Sequence, residues 1–338
     1  MKDEPTNICI LHFGQLGDVL LALPAIKALR ERFPDVRLTL IAGSLAAKLV
    51  DDLKIVDETI AVDRVALLRG NKVVSVAKII GLARSVRRRR FDFVIDLHSL
   101  YETNLLAYFS GAQKRLLANR PGRSLDRLSN FRPKPPREDK SIHLADNYLA
   151  VLEPLAIENI SRNINIAIDN DVADSLALRV FSKRKDSQAI VGMVIGAGHP
   201  SRRWPLGKFA ELAEKIVERL GAIVSVFLGP EEESEADEIR RLFPNDTVLV
   251  SGLSLPELAA VFTKIDLLVG NDTGPPHLAA LVGTPVVLVI DKRAPLRYSP
   301  LTEDLEMVRE GHVDSISVDS VFDAVARSLT KKRGNQEH

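Results

Sequence analysis

The run Gly270-Asn271-Asp272-Thr273-Gly274-Pro275-Pro276-His277-Leu278-Ala279-Ala280 holds the residue types best suited to seat an anion. It follows an apolar, strand-like stretch at 265–269 and opens a short helix that ends near Gly283. Small residues at such a turn let a ligand approach the backbone. N–H groups left unpaired at a helix start attract negative charge. Thr273 and His277 add side-chain donors. Asp272 can simply order the turn, and His277 can be a plain buried histidine on an apolar helix. With no Walker lysine in the run, the pattern predicts a phosphate seat of another kind and a ligand that is a nucleotide or nucleotide-sugar.

Three other groups have chemistry available. Asp18 follows Gly17 at the mouth of the first strand and begins a helix. It reads either as an N-cap or as a general base. Arg202 and Arg203 precede Trp204, and either could pair with a phosphate. A solvated loop charge is the plain alternative. Glu231, Glu232 and Glu233 start a helix after the strand at 222–228. They complement its dipole, or one of them meets ribose hydroxyls. No His/Cys cluster at ligand spacing is visible, so no metal and no cofactor are expected.

These residues need a scaffold. The chain has 338 residues, enough for two domains, with 46% apolar and 27% charged residues. A net charge of +1 does not call for nucleic acid. The single cysteine, Cys9, lies in an apolar run and fits a reducing compartment. No signal peptide or spanning segment is legible, which predicts a cytoplasmic protein.

Strands are expected at 7–13, 36–42, 55–62 and 92–97, alternating with helices at 19–32, 44–52, 72–89 and 103–110. Residues 118–141 hold four prolines and read as a long mobile loop, followed by a helix at 143–155. After an irregular stretch at 160–188, strands are expected at 189–195, 222–228, 246–250, 265–269 and 285–290. Helices alternate with them at 207–220, 231–242, 255–263 and 275–282, and a last one covers 319–330. This order predicts an α/β protein of two Rossmann-like domains, 1–158 and 159–338, with parallel sheets facing a cleft. The last helix is allowed to pack back on the first domain. Gly14-x-x-Gly17 is the nearest approach to a dinucleotide fingerprint and lacks its third glycine, which argues against an oxidoreductase.

Three segments together resemble glycosyltransferase family 9, the ADP-heptose:lipopolysaccharide heptosyltransferases. They are Gly14-Gln-Leu-Gly17-Asp18 through Ile26, Gly196-Ala197 with Ser201-Arg-Arg-Trp-Pro205, and Asp272-Thr-Gly-Pro-Pro-His277. Arg90-Phe-Asp92 leading into Asp96-Leu-His98, and His143 through Leu149, add lesser matches. The resemblance implies a GT-B fold and inverting, metal-independent transfer from ADP-heptose to a lipopolysaccharide inner-core acceptor. It implies that Asp18 is the base. It implies a donor site of Gly196, Ala197, Arg202 or Arg203, Glu231 or Glu232, Asp272, Thr273, Gly274 and His277. Arg202 is the preferred arginine, because family members carry a cation two residues before that tryptophan.

The acceptor side is expected to use Gly17, Arg64, His98 and Arg120. Arg69, Lys72, the run Arg87 to Arg90, Arg115, Arg123 and Arg127 are further cations for an anionic, lipid-linked glycan. The arginine run is otherwise a solvated helix end, or a contact with the inner membrane. His98 stands where many family members have glutamine, and Glu102 where a cation is expected. The partners are then a nucleotide-sugar and a lipid-linked acceptor, and the chain is expected to be a monomer. The alternatives are an epimerase or hydrolase of the same fold, with His98 as a second acid/base, and a non-catalytic nucleotide-sugar-binding protein.

Overall fold

The computed structural model describes residues 4–63, 72–157, 161, 162, 164, 166–182 and 188–336. The chain divides into two compact units, Met1–Ile164 and Asn165–His338. Each unit is built on one parallel sheet with helices between successive strands.

In the first unit the strands are β1 (Asn7–His12), β2 (Arg37–Gly43), β3 (Glu58–Val62), β4 (Phe93–Asp96) and β5 (Lys114–Leu117). Their order in the sheet is β3-β2-β1-β4-β5. The helices are α1 (Leu16–Arg32), α2 (Ser44–Asp52), α3 (Lys72–Arg88), α4 (Tyr101–Phe109) and α5 (Leu144–Ala150). β1 is buried from Ile8 to His12, as a central strand covered on both faces must be. Leu11 lies beside Asp96 in the β1–β4 ladder, so the loops after these two strands leave the sheet as neighbours. The strand order reverses between them. In open α/β sheets that reversal opens a crevice at the carboxyl ends, where ligands bind.

The second unit has β6 (Ile190–Val194), β7 (Ile223–Phe227), β8 (Val248–Val250), β9 (Leu267–Asn271), β10 (Val286–Val289) and β11 (Leu305–Val308). Their order is β11-β10-β9-β6-β7-β8, so the reversal here falls between β6 and β9. The helices are α6 (Asn170–Val180), α7 (Leu206–Leu220), α8 (Ala236–Leu242), α9 (Leu255–Phe262), α10 (Gly274–Leu281) and α11 (Val318–Gln336). The terminal α11 packs on α7 and on β9, β10 and β11 of its own unit.

Several elements differ from expectation. β5 and β11 were not foreseen, nor was α6, whose Asp169 caps it by accepting the Asp171 N–H at 2.9 Å. α1 begins at Leu16 rather than at residue 19. β9 extends through Gly270 and Asn271, which the sequence places in the turn.

Residues 118–141 are not a mobile loop but an ordered excursion. A bridge joins Asn119 to Arg137, Phe131 stacks on Phe93 at 5.2 Å, and the Leu125 N–H donates to Asn104 Oδ1 at 2.6 Å. Side chains from elsewhere satisfy this backbone, which local composition cannot reveal.

Gly192 shows how tightly the second sheet is covered. A Cβ there would meet Ile265 Cδ1 at 2.7 Å, Leu268 Cδ1 at 2.9 Å and Phe227 Cε2 at 2.9 Å. Gly192→Ala is therefore expected to destabilise the protein by about 1–3 kcal/mol through overpacking. Urea unfolding checks this, and an unchanged midpoint would show that the core yields there.

Candidate functional site

Two clusters stand at the two strand-order reversals. The first is built on the ends of β1 and β4. His12 ends β1 fully buried, and its Nδ1 accepts the Gly14 N–H at 3.2 Å. That bond places the ring proton on Nε2. The His12 ring stacks on His98 at 4.8 Å and meets the edge of Tyr148 at 5.1 Å. Burial, with His98 and Arg120 nearby, holds His12 well below the ordinary histidine range, so the ring is neutral at pH 7. His12 was missed in the sequence. Its signal is a histidine closing an apolar strand directly before a glycine loop.

Asp18 is the third residue of α1, not its N-cap, because Gln15 takes the cap position. The Asp18 carboxylate reaches back and accepts the Gln15 N–H at 3.2 Å. Burial raises its pKa, while the Gln15 bond and the Arg120 charge pull the other way. Gly14 is required beside it, since a Cβ there would lie 2.7 Å from Asp18 Cβ and 2.6 Å from His12 Cε1. Gly17 lies in the same first turn, half-buried.

His98 follows β4 in a loop organised by Asp96. The Asp96 carboxylate accepts the Ser99 N–H at 2.7 Å and the Asn104 amide at 2.8 Å. These bonds hold Ser99 in a left-handed conformation, φ +49°, that a non-glycine residue adopts only under constraint. Burial pushes the Asp96 carboxyl up to about 6, against the hydrogen bonds it accepts.

Arg120 donates to the His98 carbonyl at 2.6 Å and to Glu138 at 3.2 Å. Its charge acts on both His12 and Asp18. The structure thus brings together Asp18, Gly17, His98 and Arg120. Arg64 and Arg69 lie outside the described residues, as does the side chain of Lys72.

The second cluster is built on the ends of β6 and β9. Asn271, the last residue of β9, is fully buried. Its amide donates to the carbonyls of Ile195 and Gly196 at 3.0 and 3.1 Å, and its Oδ1 accepts the Trp204 N–H at 2.9 Å. One side chain therefore fixes the strand end, the loop after β6 and the start of the Trp204 segment. Trp204 itself is a core residue, fully buried with its indole N–H on the Ile316 carbonyl at 3.1 Å.

Thr273 occupies the N-cap position of α10 without capping it. Its hydroxyl instead faces the Asn271 carbonyl at 3.4 Å. Pro275 and Pro276 have no N–H, so the first turn offers only the Thr273 and Gly274 amides as unpaired donors. His277 is buried one position further on. Asp272 is half-buried, which raises its pKa, and the Arg202 charge opposes that shift.

The two arginines separate here. Arg203 is committed, with Nε on the Ile195 carbonyl at 3.1 Å and a bidentate pair with Glu235. Arg202 is exposed beside Asp272. The glutamates separate as well. Glu232 accepts the Gly229 N–H at 3.0 Å, and a Cβ on Gly196 would sit 2.2 Å from its Oε1. It therefore lies over the mouths of both β6 and β7, whereas Glu231 and Glu233 are exposed. Ala197, next to Gly196, is half-buried at the same mouth.

The profile of glycosyltransferase family 9 (heptosyltransferase) matches residues 79–321. The chain is 21% identical over 304 residues to the lipopolysaccharide core heptosyltransferase OpsX of Haemophilus influenzae, covering 88% of this chain and 82% of the relative. Among solved structures, a glycosyltransferase family 9 protein from Veillonella parvula aligns with a TM-score of 0.82 and 25% identity, over 96% of this chain and 97% of that one. The E. coli heptosyltransferase WaaC with ADP aligns with a TM-score of 0.76 and 16% identity, over 95% and 99% of the two chains. The fold is therefore that of the GT-B heptosyltransferases. With the profile spanning most of the chain, this protein belongs to glycosyltransferase family 9 and is a glycosyltransferase.

Proposed function

We propose that this chain moves a heptose from ADP-heptose to an inner-core lipopolysaccharide acceptor, with inversion and without a divalent ion. The observation that carries the reading is Asp18, a half-buried carboxylate with a raised pKa at the strand reversal of the first sheet. Membership of the family supports transfer over epimerisation or simple nucleotide binding. The ADP bound to the similar E. coli enzyme supports the choice of nucleotide.

In this reading the Asp18 carboxylate accepts the proton of the acceptor hydroxyl as its oxygen attacks the anomeric carbon. The bond from that carbon to the diphosphate breaks, and ADP leaves with the electron pair. The Thr273 and Gly274 amides, the His277 side chain and Arg202 stabilise the charge that develops there. Asp272 orders their turn. Gly196 and Ala197 let the donor approach the backbone, and Glu232 meets the ribose. Arg203 keeps the loop in place through Glu235 rather than touching phosphate.

Gly17, His98 and Arg120 receive the acceptor, with Arg120 facing its anionic groups. On this reading the protein meets its lipid-linked acceptor at the cytoplasmic face of the inner membrane. Among the described residues no helix is long and apolar enough to cross a membrane, so the contact proposed is peripheral.

Asp18→Asn is expected to lower kcat by roughly 10²–10⁴. The acid limb of kcat/KM in the wild type should lie above the ordinary aspartate pKa of about 3.9. Because burial raises the folded-state pKa, ionised Asp18 costs stability above its unfolded pKa, and that cost disappears as the pH falls below it. The Asn variant should therefore melt no lower than wild type at pH 7, with the gap closing towards pH 3.5. Near-wild-type transfer by this variant would remove Asp18 as the base.

ADP binding by calorimetry separates the donor residues. Glu232→Gln and Arg202→Gln should each weaken ADP by about tenfold, through the loss of a charge-assisted contact. Glu231→Gln should have little effect, and Arg203→Gln should act mainly on the melting temperature. Equal effects of Glu231→Gln and Glu232→Gln would contradict the assignment.

A further inference from the structure

We infer that the outward face of α4 is a docking surface for an anionic phospholipid bilayer. This rests on the reading that the acceptor is lipid-linked, and it names the surface that would meet the lipid. Tyr101, Leu105, Tyr108 and Phe109 are 51%, 41%, 49% and 51% exposed. Their spacing of four, seven and eight residues from Tyr101 puts them on one side of the helix. Such a stripe normally faces the core. Here the core side is occupied by Thr103, Asn104, Leu106 and Ala107, all buried. Its polar members are satisfied, with Asn104 on Asp96 and Thr103 on the Leu100 backbone. The helix is therefore anchored on one side and leaves an apolar stripe in water on the other.

The rim of that stripe is cationic. The Arg115 guanidinium lies 5.6 Å from the Tyr108 ring centroid. Arg87 on α3 reaches the Phe109 carbonyl at 3.5 Å. Exposed Arg127 lies on the short turn of 3₁₀ helix, Asp126–Leu128, that packs against α4. Among the described residues two acids are close: Glu102 on α4 itself, and Asp126, which is paired with Lys134 at 3.3 Å. Cations remain in excess around the rim.

Size and charge select the occupant. Nine helical residues span about 14 Å. The apolar area is on the order of a few hundred Å², well under the roughly 800 Å² per partner of a stable protein interface. A second copy docked on the same face would set arginine against arginine. A bilayer surface imposes neither limit. Tyrosine suits the headgroup level, and each arginine gains from anionic lipid. α4 starts three residues after His98, so docking would bring the acceptor-side loop to the headgroups.

The test is co-sedimentation of the full chain with vesicles of phosphatidylcholine alone or mixed with phosphatidylglycerol, with neither donor nor acceptor present. Wild type should bind the mixed vesicles, bind phosphatidylcholine weakly, and lose binding as salt rises. The double substitution Leu105→Glu with Phe109→Glu should reduce partitioning by about tenfold or more while leaving the melting temperature and transfer to a deacylated, soluble acceptor unchanged. Arg87→Gln should reduce binding about fivefold. Equal binding by the double variant and wild type would overturn the proposal. So would binding indifferent to lipid charge and salt, or a wild-type dimer that the double variant converts to monomer. Because the vesicles carry no acceptor, failure here leaves the transfer reaction untouched, and failure of transfer leaves this surface untouched.

Discussion

The cluster at the ends of β6 and β9, the proposed donor site, depends on the buried amide of Asn271. Three hydrogen bonds consume it: two to carbonyls after β6 and one from the Trp204 backbone. The Ile195 carbonyl also accepts from Arg203 Nε, but a buried backbone group left without a partner costs about 1–3 kcal/mol. Both amide hydrogens are therefore already used, and none is left to donate to a phosphate. Its role is to hold the Gly196 loop, the arginine loop and the α10 start in one arrangement. Glu232 lies over that arrangement against Gly196 and Gly229. A charged leaving group is best served by donors that need not reorganise when charge appears, and Asn271 supplies that rigidity.

The first unit repeats the principle with other residues. Asp96 organises the loop after β4 as Asn271 organises the loop after β6, accepting from Ser99 and Asn104. Next to it, His12 and His98 stack in the interior, and burial keeps His12 uncharged. The local medium is poorly solvating, which raises the Asp18 pKa, and Arg120 restrains the shift. A carboxylate with a raised pKa is a stronger proton acceptor, which suits Asp18 to the proposed role of base. Glycine at position 14 is what allows His12 and Asp18 to flank one loop.

Much of this was legible in the sequence, where local pattern carries the information. The alternation of strands and helices, the turn at 270–280 and the Gly17-Asp18 pair are all short-range features. The unread parts depend on contacts distant in sequence. Asn271 looked like a turn residue, because its partners at 195, 196 and 204 lie far away in the chain. The resemblance favours Arg202 over Arg203, but the reason, that Glu235 claims Arg203, lies 32 residues away, and Glu232 is set apart from Glu231 only by Gly196 beneath it. The prolines of 118–141 suggested mobility, yet Asn104, Asn119 and Phe93 stitch that segment down. β5 is too short and basic to read as a strand, with Lys114 and Arg115 as its first two residues.

A crystal structure with ADP-heptose tests the central claim most directly. The account predicts diphosphate oxygens within hydrogen-bonding distance of the Thr273 and Gly274 amides, with all three Asn271 hydrogen bonds intact. A diphosphate held elsewhere, or one that draws the Asn271 amide out of the interior to bind it, would contradict the account.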